Sequence, residues 1–375
     1  MAPTELLAEQ HFMNIEPFCR KLGVSIELLT STIKPADRKI IHHNVETGKT
    51  DILIGTHSLI QKAVAYKKLG LAVVDEQHRF GVLQRKALGS KGDSPHVLIM
   101  TATPIPRSLA LTMYGEMDVS YLDELPPGRQ AIATKIFYDS SREEAYAALR
   151  KKLDQGQQAY VVCPLIEESE VMDLKAVTEV HEYIQSQLYP DKVVRLIHGK
   201  IDKSERQKIM AEFLAGNIHI LVATTVIEVG IDIPNATTMI IEHAERFGLS
   251  QLHQLRGRVG RGHHASQCLL IAYPPLSEDG KARLKAIKES TDGFYIAEAD
   301  LKIRGPGDFM GTRQSGMPLL KIANLLRDMK ILESSRKEAF KLIDEDPHLQ
   351  DAKHQELKQT LFRFLGGKLD LMDTI

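Results

Sequence analysis

The stretch LLTSTIKPADRKIIHHNVETGKTDILIGTH, residues 28 to 57, admits two readings that lead to different folds. Gly48-Lys49-Thr50 is the end of the phosphate-binding signature GxxxxGK[ST], in which backbone N–H groups wrap a phosphate while the Lys and hydroxyl reach its oxygens. That signature leaves a strand and opens a helix, so that the helix N-terminus faces the anion. Here the order is reversed. Residues 35 to 47 have Pro in the first turn and helical spacing, and Asp51 to Gly55 is a short apolar run that reads as a buried strand. His43 stands where the first glycine of the signature belongs. Gly48 is therefore predicted to lie just past a helix end, where positive φ is needed, and the segment is not a nucleotide cradle.

The stretch recurs. Residues 196 to 225, LIHGKIDKSERQKIMAEFLAGNIHILVATT, lie over 28 to 57 without a gap at a displacement of 168, and IIEHAERFG (240 to 248) follows VVDEQHRFG (73 to 81) at 167. Each copy reads as strand end, polar turn, amphipathic helix, glycine and apolar strand. Gly216 occupies the place of Gly48 with no Lys-Thr beside it, so the glycine is architectural. A period this long makes each copy a domain rather than a solenoid unit. Strands at 97 to 100 and 159 to 166 alternate with helical stretches at 173 to 188 and 203 to 214, which predicts parallel sheets joined by right-handed crossovers. ELPPGRQA (124 to 131) breaks the pattern and marks the junction. After PPL (274 to 276) the chain reads as mostly helical, with one break at RGPGDFMGTRQSG (304 to 316). The expected class is α/β, in three parts: 1–128, 129–275 and 276–375.

Lys and Arg number 48 against 49 Asp and Glu. No basic arm announces a nucleic-acid partner, although a groove can be basic on a neutral protein. Cys19, Cys163 and Cys268 are far apart and lack CxxC spacing, which points to neither a zinc site nor a disulfide framework and suits a reducing cytoplasm. No apolar run has the length of a membrane span, and residues 1 to 12 carry acids where a signal peptide is basic and apolar.

Four clusters could carry chemistry. In open parallel sheets ligands bind beyond the carboxyl ends of the strands, and LAVVDEQH puts Asp75 and Glu76 there. Such an Asp can hold hydrated Mg²⁺, and the adjacent Glu can orient or deprotonate water, yet a bare Asp-Glu reads more readily as a solvated pair. QLRGRVGRG (254 to 262) spaces Arg256, Arg258 and Arg261 with glycines; guanidinium forks suit phosphates, and the alternative is a solvated basic loop. MTATPIPR (100 to 107) and TTVIEVGID (224 to 232) run from strands into hydroxyls, suited to phosphate contact or to capped turns.

In order and at these spacings, the clusters resemble the motor of helicase superfamily 2, whose two RecA-like domains close on ATP. MAPTELLAEQ resembles motif Ia, GTH (55 to 57) motif Ib, DEQH (75 to 78) motif II and TAT (101 to 103) motif III. RLIHGKI (195 to 201), ATTVIEVGIDIPNA (223 to 236) and QLRGRVGRG resemble motifs IV, V and VI. DEQHRFGV, MTATPIPRSLALTMYG, IDIPNA and DGFYIAEADLKIRGPGDFMGTRQSG are similar to the bacterial RecG helicases. The transcription-repair coupling factors share the last of these elements, but DEQH and GTRQSG favour RecG.

The resemblance implies two RecA-like parallel-sheet domains, the first truncated at its amino-terminus, followed by a mainly helical region. It implies ATP and Mg²⁺ as cofactors, branched double-stranded DNA such as forks and Holliday junctions as partner, and a monomeric cytoplasmic motor with no membrane role. Asp75 would hold Mg²⁺, Glu76 would serve hydrolysis, and His78 would link nucleotide to DNA state. Thr101 and Thr103 would couple the domains. Gln254, Arg258 and Arg261 would reach ATP, with Gly230 and Asp232 beside them. Pro3, Thr4, Thr56 and Thr225 match positions that grip the nucleic-acid backbone. The translocation element would span Lys281 to Gln314, with Arg304, Arg313 and Gln314 converting closure into movement. In this family the phosphate-binding loop precedes motif Ia, and these 375 residues hold no GxxxxGK[ST]. The expectation is a partial motor, lacking phosphate loop and wedge domain and inactive alone; the alternative is a non-hydrolysing DNA-binding or regulatory remnant.

Overall fold

The structure, a computed structural model, describes residues 1–61, 63–76, 91–92, 95–102, 118–124, 130–164, 170–224, 233–304 and 327–365. In chain order its elements are α1 (Glu5–Leu22), β1 (Ile26–Leu29), α2 (Pro35–Thr47), β2 (Ile52–Gly55), β3 (Leu71–Val74), β4 (His96–Ile99), β5 (Ala133–Tyr138), α3 (Arg142–Leu153), β6 (Gln158–Val162), α4 (Glu170–Tyr183), β7 (Val194–Ile197), α5 (Lys203–Leu214), β8 (Ile220–Ala223), β9 (Ala236–Ile241), α6 (Leu249–Arg256), β10 (Gln267–Ala272), α7 (Glu278–Glu289), α8 (Gly293–Arg304), α9 (Met329–Glu345) and α10 (Gln355–Leu365).

Gly48 ends α2 with φ of 76°, and its N–H turns back to the Val45 carbonyl. The Thr50 hydroxyl donates to the Glu27 carboxylate on β1. Gly48-Lys49-Thr50 is thus a helix stop followed by a tether to the neighbouring strand, as its position between helix and strand predicts.

The duplication persists down to single bonds. β7 and β8 stand 168 residues after β1 and β2, and the registers agree: Ile26 pairs with Ile52 and Leu29 with Gly55, as Val194 pairs with Ile220 and Ile197 with Ala223. Gly216, like Gly48, has positive φ, here 82°. One guanidinium clamps the loop between strand and helix in each copy: Arg38 donates to the Thr30 carbonyl at 3.1 Å, and Arg206 to the Ile201 carbonyl at 3.3 Å. Glu76 and His243, aligned at 167, are both left-handed, with φ of 53° and 50°. That conformation costs a residue with a side chain about 1–2 kcal/mol. Its recurrence shows that the turn leaving the strand demands it.

In the second copy all six strands are parallel, ordered β5-β10-β9-β6-β8-β7. Residues alternate between faces, and both faces are covered. Tyr160, Val162, Leu221, Met239 and Leu270 pack with Phe213 of α5, Leu252 of α6, Ile287 of α7 and Ile296 of α8. Ala159, Val161, Val222, Ile240 and Leu269 pack with Tyr146 and Leu149 of α3 and Val177 of α4. Burial on both sides explains why these strands read as continuous apolar runs.

The first copy has two parallel pairs, β1-β2 and β3-β4. Met1 and Ala2 join them: Ala2 N–H donates to the Gly55 carbonyl at 2.9 Å, and Asp75 N–H to the Met1 carbonyl at 3.0 Å. The second copy has the same rung, Cys163 N–H to Ala223 O and Glu242 N–H to Val162 O, both at 2.9 Å. Met1 and Ala2 therefore stand where the central strand β6 ends in its counterpart.

By compactness the chain divides into Met1–Pro104 with Asp123–Ile303, and Ile105–Leu122 with Arg304–Ile375. In the latter, Asp346 follows α9 and accepts from the N–H groups of Gln350 and Asp351, each at 2.9 Å, and from His354 Nδ1 at 2.8 Å. No described helix is long and apolar enough to cross a membrane.

A Cβ at Gly216 would meet no atom within 4 Å, so Gly216→Ala isolates the cost of the left-handed conformation. We expect a loss of about 1 kcal/mol, read as a lower denaturant midpoint with unchanged slope.

Candidate functional site

Because the strands within each pair are parallel, their carboxyl ends gather on one edge. In the first copy that edge carries Thr56 after β2, Asp75 and Glu76 after β3, and Thr101 beyond β4. Pro3 and Thr4 follow the Met1–Ala2 rung, so they enter this edge between β2 and β3. Thr4 also caps α1, accepting from Leu7 N–H. Six of the residues singled out from the sequence are thus brought together by one row of backbone bonds.

Asp75 is half-buried, and both carboxylate oxygens are engaged. Oδ1 accepts from Glu76 N–H at 2.9 Å and Oδ2 is 3.0 Å from His11 Nε2 on α1. The His11 bond, opposed by burial and aided by the Glu76 N–H, holds the Asp75 carboxyl below its ordinary range. Mg²⁺ is held by one or two carboxylates together with phosphates and waters, and Asp75 with Glu76 fits that demand. Among the described residues no trio of His, Cys, Asp or Glu gathers to hold a metal with protein ligands alone.

The corresponding acid in the second copy is closed. Glu242, 1% exposed, accepts from Arg142 at 2.9 and 3.1 Å, from Tyr146 at 2.5 Å and from Tyr273 at 2.7 Å. Burial first, then the Glu242 charge, pushes the Tyr146 phenol well above its usual range. His243 stacks on Tyr273 with ring centroids 4.0 Å apart.

The arginine array resolves into different roles. Gln254 lies on α6, and Arg258 and Arg261 lie beyond its end, where Gly260 adopts φ of 77° with Ile132 against it. Arg256 does not join them, contrary to its place in the sequence array. It is 2% exposed and points inward, donating to the Ile287 and Ser290 carbonyls at 2.7 and 2.8 Å. Its third contact is His253 Nδ1 at 2.9 Å. A guanidinium only donates, so Nδ1 must carry a lone pair. Burial, then the Arg256 charge, lowers His253 to about 4.

Sequence reasoning passed over three further groups. His11 gave no signal beyond a position two turns into α1. Thr224, grouped with Thr225 in TTVIEVGID but given no part in the backbone grip, is 2% exposed at the end of β8 with its hydroxyl unpartnered among the described residues. Arg38 and Arg206 are matched by the 168-residue displacement and could have been found from it. Arg304 ends α8, exposed. His78, Thr103, Thr225, Gly230, Asp232, Arg313 and Gln314 lie outside the described residues.

Paired parallel-sheet bodies, one with an acidic pair at its strand ends and the other with glycine-spaced arginines, define the class of RecA-like helicase motors. Family profiles agree: DEAD/DEAH box helicase over residues 1–112, Helicase conserved C-terminal domain over 143–263, and ATP-dependent DNA helicase RecG, domain 3, C-terminal over 290–369. The chain is 49% identical to the ATP-dependent DNA helicase RecG of Synechocystis sp., over 98% of its own length and 44% of the relative's. With that of Bacillus subtilis it is 48% identical, over 99% and 54%. A structure of RecG bound to a three-way DNA junction superimposes with a TM-score of 0.69 at 43% identity, covering 89% of this chain and 43% of that one. S. cerevisiae Dbp5 bound to RNA and ADP BeF3, at 15% identity and a TM-score of 0.53 over 90% of this chain and 80% of that one, shares the fold. The chain belongs to the RecG family of helicases, and it spans about half the length of these curated relatives.

His253 gives a pH prediction. Its folded-state value lies below the ordinary 6.5, so an unfolded chain takes up the proton first as pH falls. Stability is full above about pH 6.5, declines by about 3 kcal/mol in total toward pH 4, and flattens below. Urea midpoints measured from pH 7 to pH 4 should show this decline in the wild type and a shallower one in His253→Gln.

Proposed function

We propose that the chain is the motor portion of a RecG-type, ATP-dependent DNA helicase or translocase that remodels branched duplex DNA in recombination and repair, as a monomer in the cytoplasm. One observation carries this reading: the Met1–Ala2 rung sets Pro3, Thr4 and Thr56, which match the backbone grip, beside Asp75 and Glu76. The relative bound to a three-way DNA junction supports the substrate class.

Bound ATP with Mg²⁺ would supply the free energy of phosphoryl transfer. Asp75 would hold the cation, and Glu76 would orient or deprotonate water, with His78 linking that state to DNA. Gln254, Arg258 and Arg261 offset developing phosphate charge, with Gly230 and Asp232 beside them. Thr101 and Thr103 couple the two RecA-like bodies. The buried Thr224 hydroxyl joins Thr225 as a group suited to a phosphate oxygen of the DNA backbone. The segment Lys281 to Gln314, with Arg304, Arg313 and Gln314, converts closure into movement along the duplex.

The 375 residues contain no GxxxxGK[ST], which favours a second reading as a DNA-binding part that does not hydrolyse ATP by itself. ATP turnover with and without forked DNA separates the two. We expect background turnover from the 375-residue chain, and DNA-stimulated turnover once a RecG phosphate-loop segment is supplied upstream of Met1. Glu76→Gln in that longer protein should then lower turnover by about 10²–10⁴-fold. Turnover by the 375 residues alone, lost in Glu76→Gln, would sink the dependence on an upstream segment. A longer protein that binds DNA and never hydrolyses ATP would leave the second reading standing.

A further inference from the structure

We propose that His11 is a positioning residue for the metal-binding carboxylate: Nε2 of His11, on the helix that Thr4 caps, lies 3.0 Å from Oδ2 of Asp75. The inference rests on the reading of Asp75 as the Mg²⁺ ligand and adds to it a residue outside every motif matched above.

Three observations carry it. The bond links residues 64 apart in sequence, so it is a tertiary contact and not an accident of local geometry. Among the described residues His11 is also the side-chain donor to Asp75, the other bond to this carboxylate coming from the backbone of Glu76. Finally, α1 is held in place relative to the strand ends. Ala2 bonds to the end of β2, and Glu5 Oε1 accepts the Ser31 N–H at 2.7 Å, pinning the first turn of α1 to the loop after β1. The ring therefore reaches Asp75 from a fixed platform.

A carboxylate that binds a cation through water has two rotational freedoms to lose, and a donor on one oxygen removes most of them before the cation arrives. Outer partners of this kind contribute about 10–100-fold to metal affinity. The same helix carries Pro3 and Thr4 at its start. α1 thus connects the residues that match the DNA grip with the carboxylate that matches the metal site, and His11 is the atom-level link between them.

Mn²⁺ serves as the probe, with free Mn²⁺ read by electron paramagnetic resonance in titrations of the 375-residue chain. Four proteins are compared: wild type, Asp75→Asn, His11→Ala and His11→Gln. The glutamine amide can place a donor near the position of Nε2, whereas alanine cannot. We expect Asp75→Asn to remove the site, His11→Ala to weaken it about tenfold or more, and His11→Gln to stay within about twofold of wild type. Wild-type affinity in His11→Ala overturns the proposal. So does a His11→Gln protein as weak as His11→Ala, because the loss would then follow from packing and not from the donor. Mn²⁺ binding that is unchanged in Asp75→Asn overturns the metal reading of Asp75 and the role of His11 with it.

Discussion

A strand inside a parallel sheet must satisfy N–H and C=O groups on both edges, and the residue at its end fixes how two neighbours terminate relative to each other. In this chain that constraint is met twice in the same form. Val162 and Cys163 hold the ends of β9 and β8, and Met1 and Ala2 hold the ends of β3 and β2. Everything that could be chemical in the first copy depends on this rung. It aligns Gly55 with Asp75 across the sheet, so the residues following them emerge on one edge. Without it the pairs β1-β2 and β3-β4 would each present an edge of unpaired backbone, and Thr56 would have no fixed relation to Asp75.

The second copy shows what surrounds such a rung. There the central strand β6 runs five residues, all buried, between β8 and β9. In the first copy several large apolar side chains of β3 and β4 are exposed, with Leu71 at 57% and Leu98 at 49%. The two halves thus share a register while differing in coverage, and the comparison needs no structure other than the chain's own.

Much of this was legible in the sequence because the repeat is ungapped. Gly48 and Gly216 could be assigned to helix ends from order alone, and the four strand boundaries of the repeated units follow the 168-residue displacement in the structure. The acidic pair could be placed at a strand end because the apolar run LAVV leads straight into it. What the sequence did not disclose was side-chain direction. Arg256 sits two residues from Arg258, yet one turn of α6 is enough to send its guanidinium into the body to cap α7, where a neutral His253 accepts it. His11 and Asp75 are joined only by the packing of α1 on the sheet, a relation with no sequence period. Thr224 carries no mark as a letter, and its burial at the end of β8 is disclosed by packing alone.

The contrast between Asp75 and Glu242 has a consequence for the sense in which the pair can work. A duplicated protein begins with interchangeable halves, and a device with interchangeable halves has no built-in polarity. Here the acid of one half has been bound by that half's own arginine and two phenols, while the other half keeps its acid at the edge, held by an imidazole. The halves are no longer equivalent in what holds their acids. Asymmetry of that kind is written into the repeat by one internal ion pair, Arg142 with Glu242, that its counterpart at Asp75 does without.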